Sequence, residues 1–244
     1  MPDSQSERPA VFLTGGSSGI GAAIACELAA LGYLVGCASR RGTVPFESDH
    51  VVAISVDIVD EQATRRAFTS FAKSHCLAGL VNAAGVYQSA PSTDVDLAVL
   101  RDVLELNLIS AVRLAQLARP YLEAGGGGFI ANIGSLYAEL GVPQTLAYSA
   151  AKAALASITR TLAVEWAPMG IRVVNFAPGY VETELNSSAL ADPAVRDRIA
   201  RRIPVKRIGT ACEVGRLVGR ILDAGCEFLT GETITIDGGQ RVRQ

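Results

Sequence analysis

The sequence is poor in the residues that build metal sites and disulfide scaffolds. It holds two histidines, His50 and His75, and five cysteines, Cys26, Cys37, Cys76, Cys212 and Cys226, odd in number and widely scattered. No Cys-x-x-C occurs and no spacing suits a tetrahedral site, so no metal is expected. Reduced thiols, as in a cytoplasmic protein, are the expectation. A surplus of charge is missing too: 22 Lys and Arg stand against 24 Asp and Glu, a formal net charge of −2. That balance gives no electrostatic case for nucleic acid or an anionic membrane surface. Long hydrophobic runs are absent, although 49% of the residues are hydrophobic, and no stretch is long enough to span a bilayer. Residues 1–8 are polar, lack the apolar run of a signal peptide and read as a flexible N-terminus. With no repeat, low-complexity tract or linker, residues 9–244 read as one domain.

What the chain does have is a regular alternation of short apolar runs with longer helical patterns. The runs fall at 10–14, 33–38, 51–56, 79–81, 128–133, 171–176 and 232–236, with helix patterns at about 19–31, 60–73, 95–122, 147–167 and 211–223. Several runs do not alternate apolar with polar, as expected for strands covered by helices on both faces. The pattern predicts an α/β fold with a seven-stranded parallel sheet flanked by helices. Asp60 suits the N-cap of the second helix, and Gly125-Gly-Gly-Gly128 ends the third. One segment breaks the alternation: after Gly179 the chain turns polar, and residues 180–207 read as a mobile cover over a substrate site.

Directly after the first run comes Thr14-Gly-Gly-Ser-Ser-Gly-Ile-Gly21, opening into a helix. Gly15, Gly19 and Gly21 remove side chains where a strand turns sharply and backbone must approach a diphosphate. The helix would aim its first amides at that anion, so Ser17, Ser18 and Ile20 join the glycines as candidate contacts. The second run ends in Ser39-Arg40-Arg41, where an NAD site usually has an acid for the ribose hydroxyls. A neutral Ser followed by two guanidiniums favours a 2′-phosphate, hence NADP(H) with NAD(H) as the alternative; the pair also reads as solvated charge at a strand end. Asp57, with Ile58, either meets the adenine edge or caps the next helix.

Tyr148 and Lys152 lie one helical turn apart and share a face. A phenol titrates at about 10 in water, and a neighbouring ammonium favours the phenolate. By itself this pair also fits a surface helix with an amphipathic tyrosine. The glycine turn, Asn82-Ala-Ala-Gly85, Asn107, Ser135, Tyr148-x-x-x-Lys152 and Pro178-Gly179 together resemble the short-chain dehydrogenase/reductase family, in the branch similar to 3-oxoacyl-acyl-carrier-protein reductases. The resemblance extends from Arg8 to the closing Gly238-Gly239.

That resemblance implies a Rossmann-type doubly wound fold and a homotetramer, or a homodimer, assembled through long helices and the last strand. It implies that Tyr148 is the general acid or base and that Lys152 lowers its pKa and bonds the nicotinamide ribose. Ser135 would hold the substrate oxygen and Asn107 a water linking Lys152 to solvent. Asn82, Ala83, Ala84 and Gly85 would line the adenosine ribose, with Pro178, Gly179, Val181 and Thr183 beside the nicotinamide. Tyr87, Leu136, Tyr137, Gln144 and Tyr180 flank these motifs as pocket residues, or equally as core or interface. The chain departs from carrier-protein reductases in lacking basic residues at 123–128 and 167–170, where an acidic carrier would dock. The expectation is therefore an NADP(H)-dependent oxidoreductase for a freely diffusing carbonyl or alcohol; a thioester substrate and a cofactor-sensing regulator without chemistry are the alternatives.

Overall fold

A computed structural model describes residues 8–184 and 186–242, so the expected flexible N-terminus lies outside the described residues except for Arg8. The elements run β1 (Ala10–Thr14), α1 (Gly19–Ala30), β2 (Leu34–Ser39), β3 (Val51–Ser55), α2 (Glu61–Ser74), β4 (Leu77–Asn82), α3 (Leu97–Leu104), α4 (Ser110–Ala124), β5 (Gly128–Ile133), α5 (Leu146–Trp166), β6 (Ile171–Pro178), β7 (Val181–Glu182), α6 (Ser187–Leu190), α7 (Pro193–Arg202), β8 (Gly209–Thr210), α8 (Ala211–Asp223) and β9 (Thr233–Ile236). The main sheet is parallel throughout, in the order β3-β2-β1-β4-β5-β6-β9. The chain order reverses between β1 and β4, which opens a crevice at the carboxyl ends of these strands.

Every residue of β1 is buried, which is why its sequence shows no polar alternation. Ala10 and Phe12 pack on one face with Phe68, Phe71, Leu80, Leu114 and Ile130; Val11 and Leu13 pack on the other with Ile24, Leu28, Val81, Phe129 and Val214. The Phe12 ring meets Phe68 edge-on at 4.9 Å and Phe71 at 5.7 Å. Burying each such ring stabilises the fold by roughly 1.5–3 kcal/mol. The edge strand β3 is half-buried or exposed throughout, with Ile54 packing on the Phe12 face of the sheet and Val51 on the Val11 face.

Two segments differ from the sequence expectation. The single helix read at 95–122 is α3 and α4 joined by a π-helical turn, Glu105–Ile109, and Asn107 sits in that turn. A π turn widens the helix by one residue and changes the direction of its side chains, a feature often found at functional positions. The polar cover is not irregular chain. It carries α6 and α7 and the small β7–β8 pair, around an apolar cluster of Leu190, Ile203 and Ile208 with Tyr180 and Ile199. The overlooked signal is Asp192-Pro193: the Asp192 carboxylate accepts from Ala194 N at 2.8 Å and proline occupies the first helical turn.

Candidate active site

The turn between β1 and α1 is built for close approach. Gly15 and Gly19 adopt φ of +71° and +54°, and a Cβ placed on Gly21 would lie 2.2 Å from Gly15 O. Ser18, the N-cap of α1, makes no side-chain cap. By contrast α2, α3, α7 and α8 are capped by Asp60, Asp96, Asp192 and Thr210. The first amides of α1 are thus left to a ligand, and their dipole favours an anion. A Cβ on Gly19 would come 3.5 Å from Thr183, so the turn and Thr183 flank one narrow gap. This cradle fits the diphosphate of a dinucleotide.

Thr14, a residue without an assigned role in the sequence reading, ties the crevice together. Its hydroxyl accepts from Ala83 N at 3.1 Å and Ala84 N at 3.2 Å, which pins the chain after β4 beside the glycine turn. Asn82 is buried, and its Nδ2 donates to Asn132 Oδ1 at 2.9 Å; Asn132 in turn donates to Thr159 Oγ1 on α5 at 2.9 Å. The Asn82 side chain therefore braces β4, β5 and α5, while Ala83, Ala84 and Gly85 remain at the crevice surface. At the end of β2, Ser39 Oγ accepts from Gly42 N, and Arg40 and Arg41 are exposed. Arg41 Nη2 donates to Ser17 Oγ at 3.1 Å and faces Glu184 at 3.9 Å. Asp57 accepts from Val59 N at 3.1 Å, whereas Asp60 is the α2 cap, accepting from Ala63 N at 2.9 Å. The two roles left open for Asp57 thus separate: it shapes the turn and does not cap α2. Ile58 is a core side chain, and its carbonyl accepts from Arg113 Nη1.

Beyond β6, Gly179 N donates to Ile236 O at 3.0 Å, and a Cβ there would lie 2.8 Å from Asp237 Cβ. Val181 is buried and pairs with Gly209, so its side chain serves packing while Thr183 faces the glycine turn.

Helix α5 presents Tyr148 and Lys152 toward Ser135, which follows β5. Lys152 is 5% exposed, and its Nζ donates to Ile133 O at 2.7 Å while lying 5.6 Å from the Tyr148 ring centre. Loss of hydration lowers the ammonium's pKa to about 8. The Tyr148 phenol is raised from its ordinary value, first by burial and also by Tyr87, with a hydrogen bond from Ser135 opposing the rise. In the protein alone, burial outweighs the lowering expected from a nearby cation. Asn107 is buried and clamps Val86: its Oδ1 accepts from Val86 N at 2.8 Å and its Nδ2 donates to Val86 O at 2.9 Å. A Cβ on Gly85 would lie 3.1 Å from Asn107 Oδ1 and 3.7 Å from Lys152 Nζ, so both atoms border the small space left by that glycine.

Four of the six tyrosines converge here. The Tyr148 ring meets Tyr87 edge-on at 5.3 Å and Tyr137 at 6.0 Å, and Tyr137 OH donates to Tyr180 OH at 2.7 Å. Leu136 is core. Gln144, with φ of +65°, accepts from Ser89 Oγ at 3.2 Å and lines a cavity of about 250 Å³ with Leu140, Val142, Pro143, Leu146 and Ser149. It stands apart from the tyrosines that touch Tyr148.

The crevice, the anion cradle and the Ser–Tyr–Lys set belong together in one family. The sequence model described as enoyl-(acyl carrier protein) reductase matches residues 15–241. The chain belongs to the short-chain dehydrogenase/reductase family, and it is an oxidoreductase that interconverts CH–OH and C=O groups of a small molecule with a nicotinamide cofactor. Among its relatives is cis-4-hydroxycyclohexanecarboxylate dehydrogenase of Sinomonas cyclohexanicum, 32% identical over 98% of both chains. Another is the 3-oxoacyl-acyl-carrier-protein reductase MabA of Mycobacterium avium, 32% identical over 94% of this chain and 88% of that one. Among solved structures, gluconate 5-dehydrogenase from Burkholderia cenocepacia, in complex with NADP and tartrate, is 28% identical with a TM-score of 0.88 over 97% of this chain and 96% of that one. Among the described residues, no helix is long and apolar enough to cross a membrane, and no group of three or more His, Cys, Asp or Glu could hold a metal ion.

Proposed function

We propose that the chain is an NADP(H)-dependent carbonyl reductase, or the corresponding alcohol dehydrogenase, for a small molecule that diffuses freely in the cytoplasm. The observation that carries the reaction is the placement of Tyr148 between the Ser135 hydroxyl and the buried Lys152 ammonium. The bound nicotinamide supplies or accepts the hydride. Ser135 orients the substrate oxygen and stabilises charge that develops on it. Tyr148, kept protonated by burial, gives its proton to that oxygen in reduction and takes it back in oxidation. Lys152 has donors beyond the one spent on Ile133, and these suit a ribose hydroxyl and a water held near Asn107 Oδ1. Ser17, Ser18, Gly19 and Ile20 would hold the diphosphate through the uncapped start of α1.

Preference for NADP(H) rests on Arg41, whose guanidinium already reaches Ser17 of the glycine turn and has donors left for a 2′-phosphate. A carrier-bound thioester is disfavoured by charge: near residues 123–128 and 167–170, Arg119 is paired with Glu123 at 2.6 Å and lies against Met169, while Arg172 is laid over the Phe129 ring and donates to Cys226 O. An acidic carrier would meet no net positive patch there. Assembly into a homotetramer or homodimer through the long helices is supported by exposed apolar side chains, Ile109 on the π turn and Val164 on α5, the latter 78% exposed. The test is NADPH and NADH oxidation measured against a panel of ketones, keto-esters and sugars, free and as thioesters. Turnover of free ketones with NADPH is the expected result; turnover of thioesters alone would overturn the substrate reading, and no turnover at all would overturn the enzymatic one.

A further inference from the structure

Apart from the Lys152 ammonium, the neighbours that Tyr148 meets ring to ring are phenols. Tyr87 and Tyr137 each present a ring edge-on to it, and Tyr180 extends the same wall through a second edge-on contact with Tyr137 at 6.1 Å and the 2.7 Å bond between their hydroxyls. Tyr180 is itself packed into the apolar cluster of the cover, so that wall is held from behind. Aromatic faces carry a negative quadrupole, which accepts C–H edges of another ring and opposes an anion laid against them.

Three of the cations on or beside the segments that carry these tyrosines are held by acids. Arg241 pairs with Glu139 at 3.0 Å, Arg196 with Glu182, and Arg207 with Glu213 at 2.6 Å. Lys152 is buried and spends a donor on Ile133 O. The cavity next along the chain, lined by Ser92, Leu140, Val142, Pro143, Thr145 and Leu146 among others, has no ionisable side chain in its wall.

We propose that the substrate is an uncharged cyclic ketone, or its alcohol, whose ring lies among Tyr87, Tyr137 and Tyr180, and that carboxylated analogues are selected against. This rests on the oxidoreductase reading of the same site and adds the class of molecule. It separates this chain from relatives whose names denote acids, the cyclohexanecarboxylate and gluconate dehydrogenases. A carboxylate placed there would exchange its hydration for phenol hydroxyls and ring faces, a weaker set of partners than water.

The experiment compares methyl 4-oxocyclohexanecarboxylate with its free acid at pH 7, two probes that share a ring and differ in charge. With NADPH, kcat/KM is expected to favour the ester by about tenfold or more, the scale on which a pocket of fixed polarity discriminates. Calorimetric titration of the enzyme with each probe gives a readout independent of turnover, with the ester binding and the acid weaker by a similar factor. Tyr137→Leu and Tyr180→Leu should each weaken ester binding several-fold, while Tyr180→Phe, which keeps the ring, should restore most of it. Equal or better binding and turnover of the acid would overturn the proposal and leave the oxidoreductase reading standing. Ester binding that both Leu variants leave unchanged would also overturn it. Ester binding that depends on the tyrosines but gives no turnover with either cofactor would support the class and count against the reaction.

Discussion

Lys152 Nζ lies 5.6 Å from the centre of the Tyr148 ring, buried, and fixed by a hydrogen bond to Ile133 O. In the proposed mechanism, that position couples proton transfer to the charge on a single ammonium. Burial brings the Lys152 pKa down to about 8, within reach of ordinary assays, while the phenol is raised and stays protonated across the same range. The value of kcat/KM for reduction, which reports groups of the free enzyme, should therefore be level near neutrality and fall as pH rises past about 8. A profile that is flat to pH 10 would detach Lys152 from the reaction.

The same depressed pKa has a stability consequence of definite sign. Between the folded value of about 8 and the ordinary 10.5, the unfolded chain binds the lysine proton and the folded protein does not, so stability rises with pH in that window. Below it, the folded protein bears the cost of a buried charge. Lys152→Met, similar in length and uncharged, should abolish activity yet raise Tm at pH 7 by a few degrees, about 2–4 °C for each kcal/mol gained in a chain of this size. The advantage over the wild type should shrink between pH 8 and 10, as thermal melts across that range would show.

Tyr148→Phe removes one hydroxyl from a ring held edge-on by Tyr87 and Tyr137, so the packing survives. Turnover should drop by about 10²–10⁴-fold, the usual worth of a positioned proton donor. NADPH affinity, proposed to depend on the glycine turn and Arg41, should stay within a few-fold of wild type by fluorescence titration. Full activity in this variant would remove the phenol from the reaction.

The sheet was legible because period and punctuation agree: the apolar runs at 10–14 and 128–133 coincide with β1 and β5, and Asp60 marks the start of α2. The helical repeat alone puts Tyr148 and Lys152 on one face, whereas the roles proposed for them came from the family resemblance carried by the wider set of motifs. Three-dimensional partners were not. Nothing local shows that Asn107 sits in a π turn clamping Val86, or that Thr14 reaches across to Ala83 and Ala84, because those bonds join residues far apart in the chain. The helices within the cover were not legible because α7 is polar; its apolar anchors, Leu190, Ile203 and Ile208, are too sparse to give a periodic signal. The effect of Lys152 on Tyr148 was also overdrawn, since spacing gives proximity but not the desolvation that both groups undergo.

Of the two adjacent arginines, the structure singles out Arg41 by its 3.1 Å bond to Ser17. Arg41→Ala should lower kcat/KM for NADPH by about tenfold or more, the scale of one charge-assisted hydrogen bond, and leave the value for NADH nearly unchanged. Arg40→Ala should have the smaller effect. An equal loss with both cofactors would mean that Arg41 supports the turn and does not read the 2′-phosphate.

Thr14→Val offers the sharpest separation of fold from cofactor binding. The substitution keeps the side chain's shape at a position that is 1% exposed, so the β1 core is left intact. It removes the one acceptor that satisfies both Ala83 N and Ala84 N. Two amides at the crevice then lose their partner, at a cost of roughly 1–3 kcal/mol if water cannot reach them. The chain after β4 is also the wall against which Gly15 packs, since a Cβ there would lie 2.9 Å from Ala84. Loosening that wall should widen the dinucleotide cleft, so the Kd for NADPH should rise by about tenfold while kcat at saturating cofactor falls far less. Loss of thermal stability with an unchanged Kd would show instead that Thr14 serves the strand packing alone.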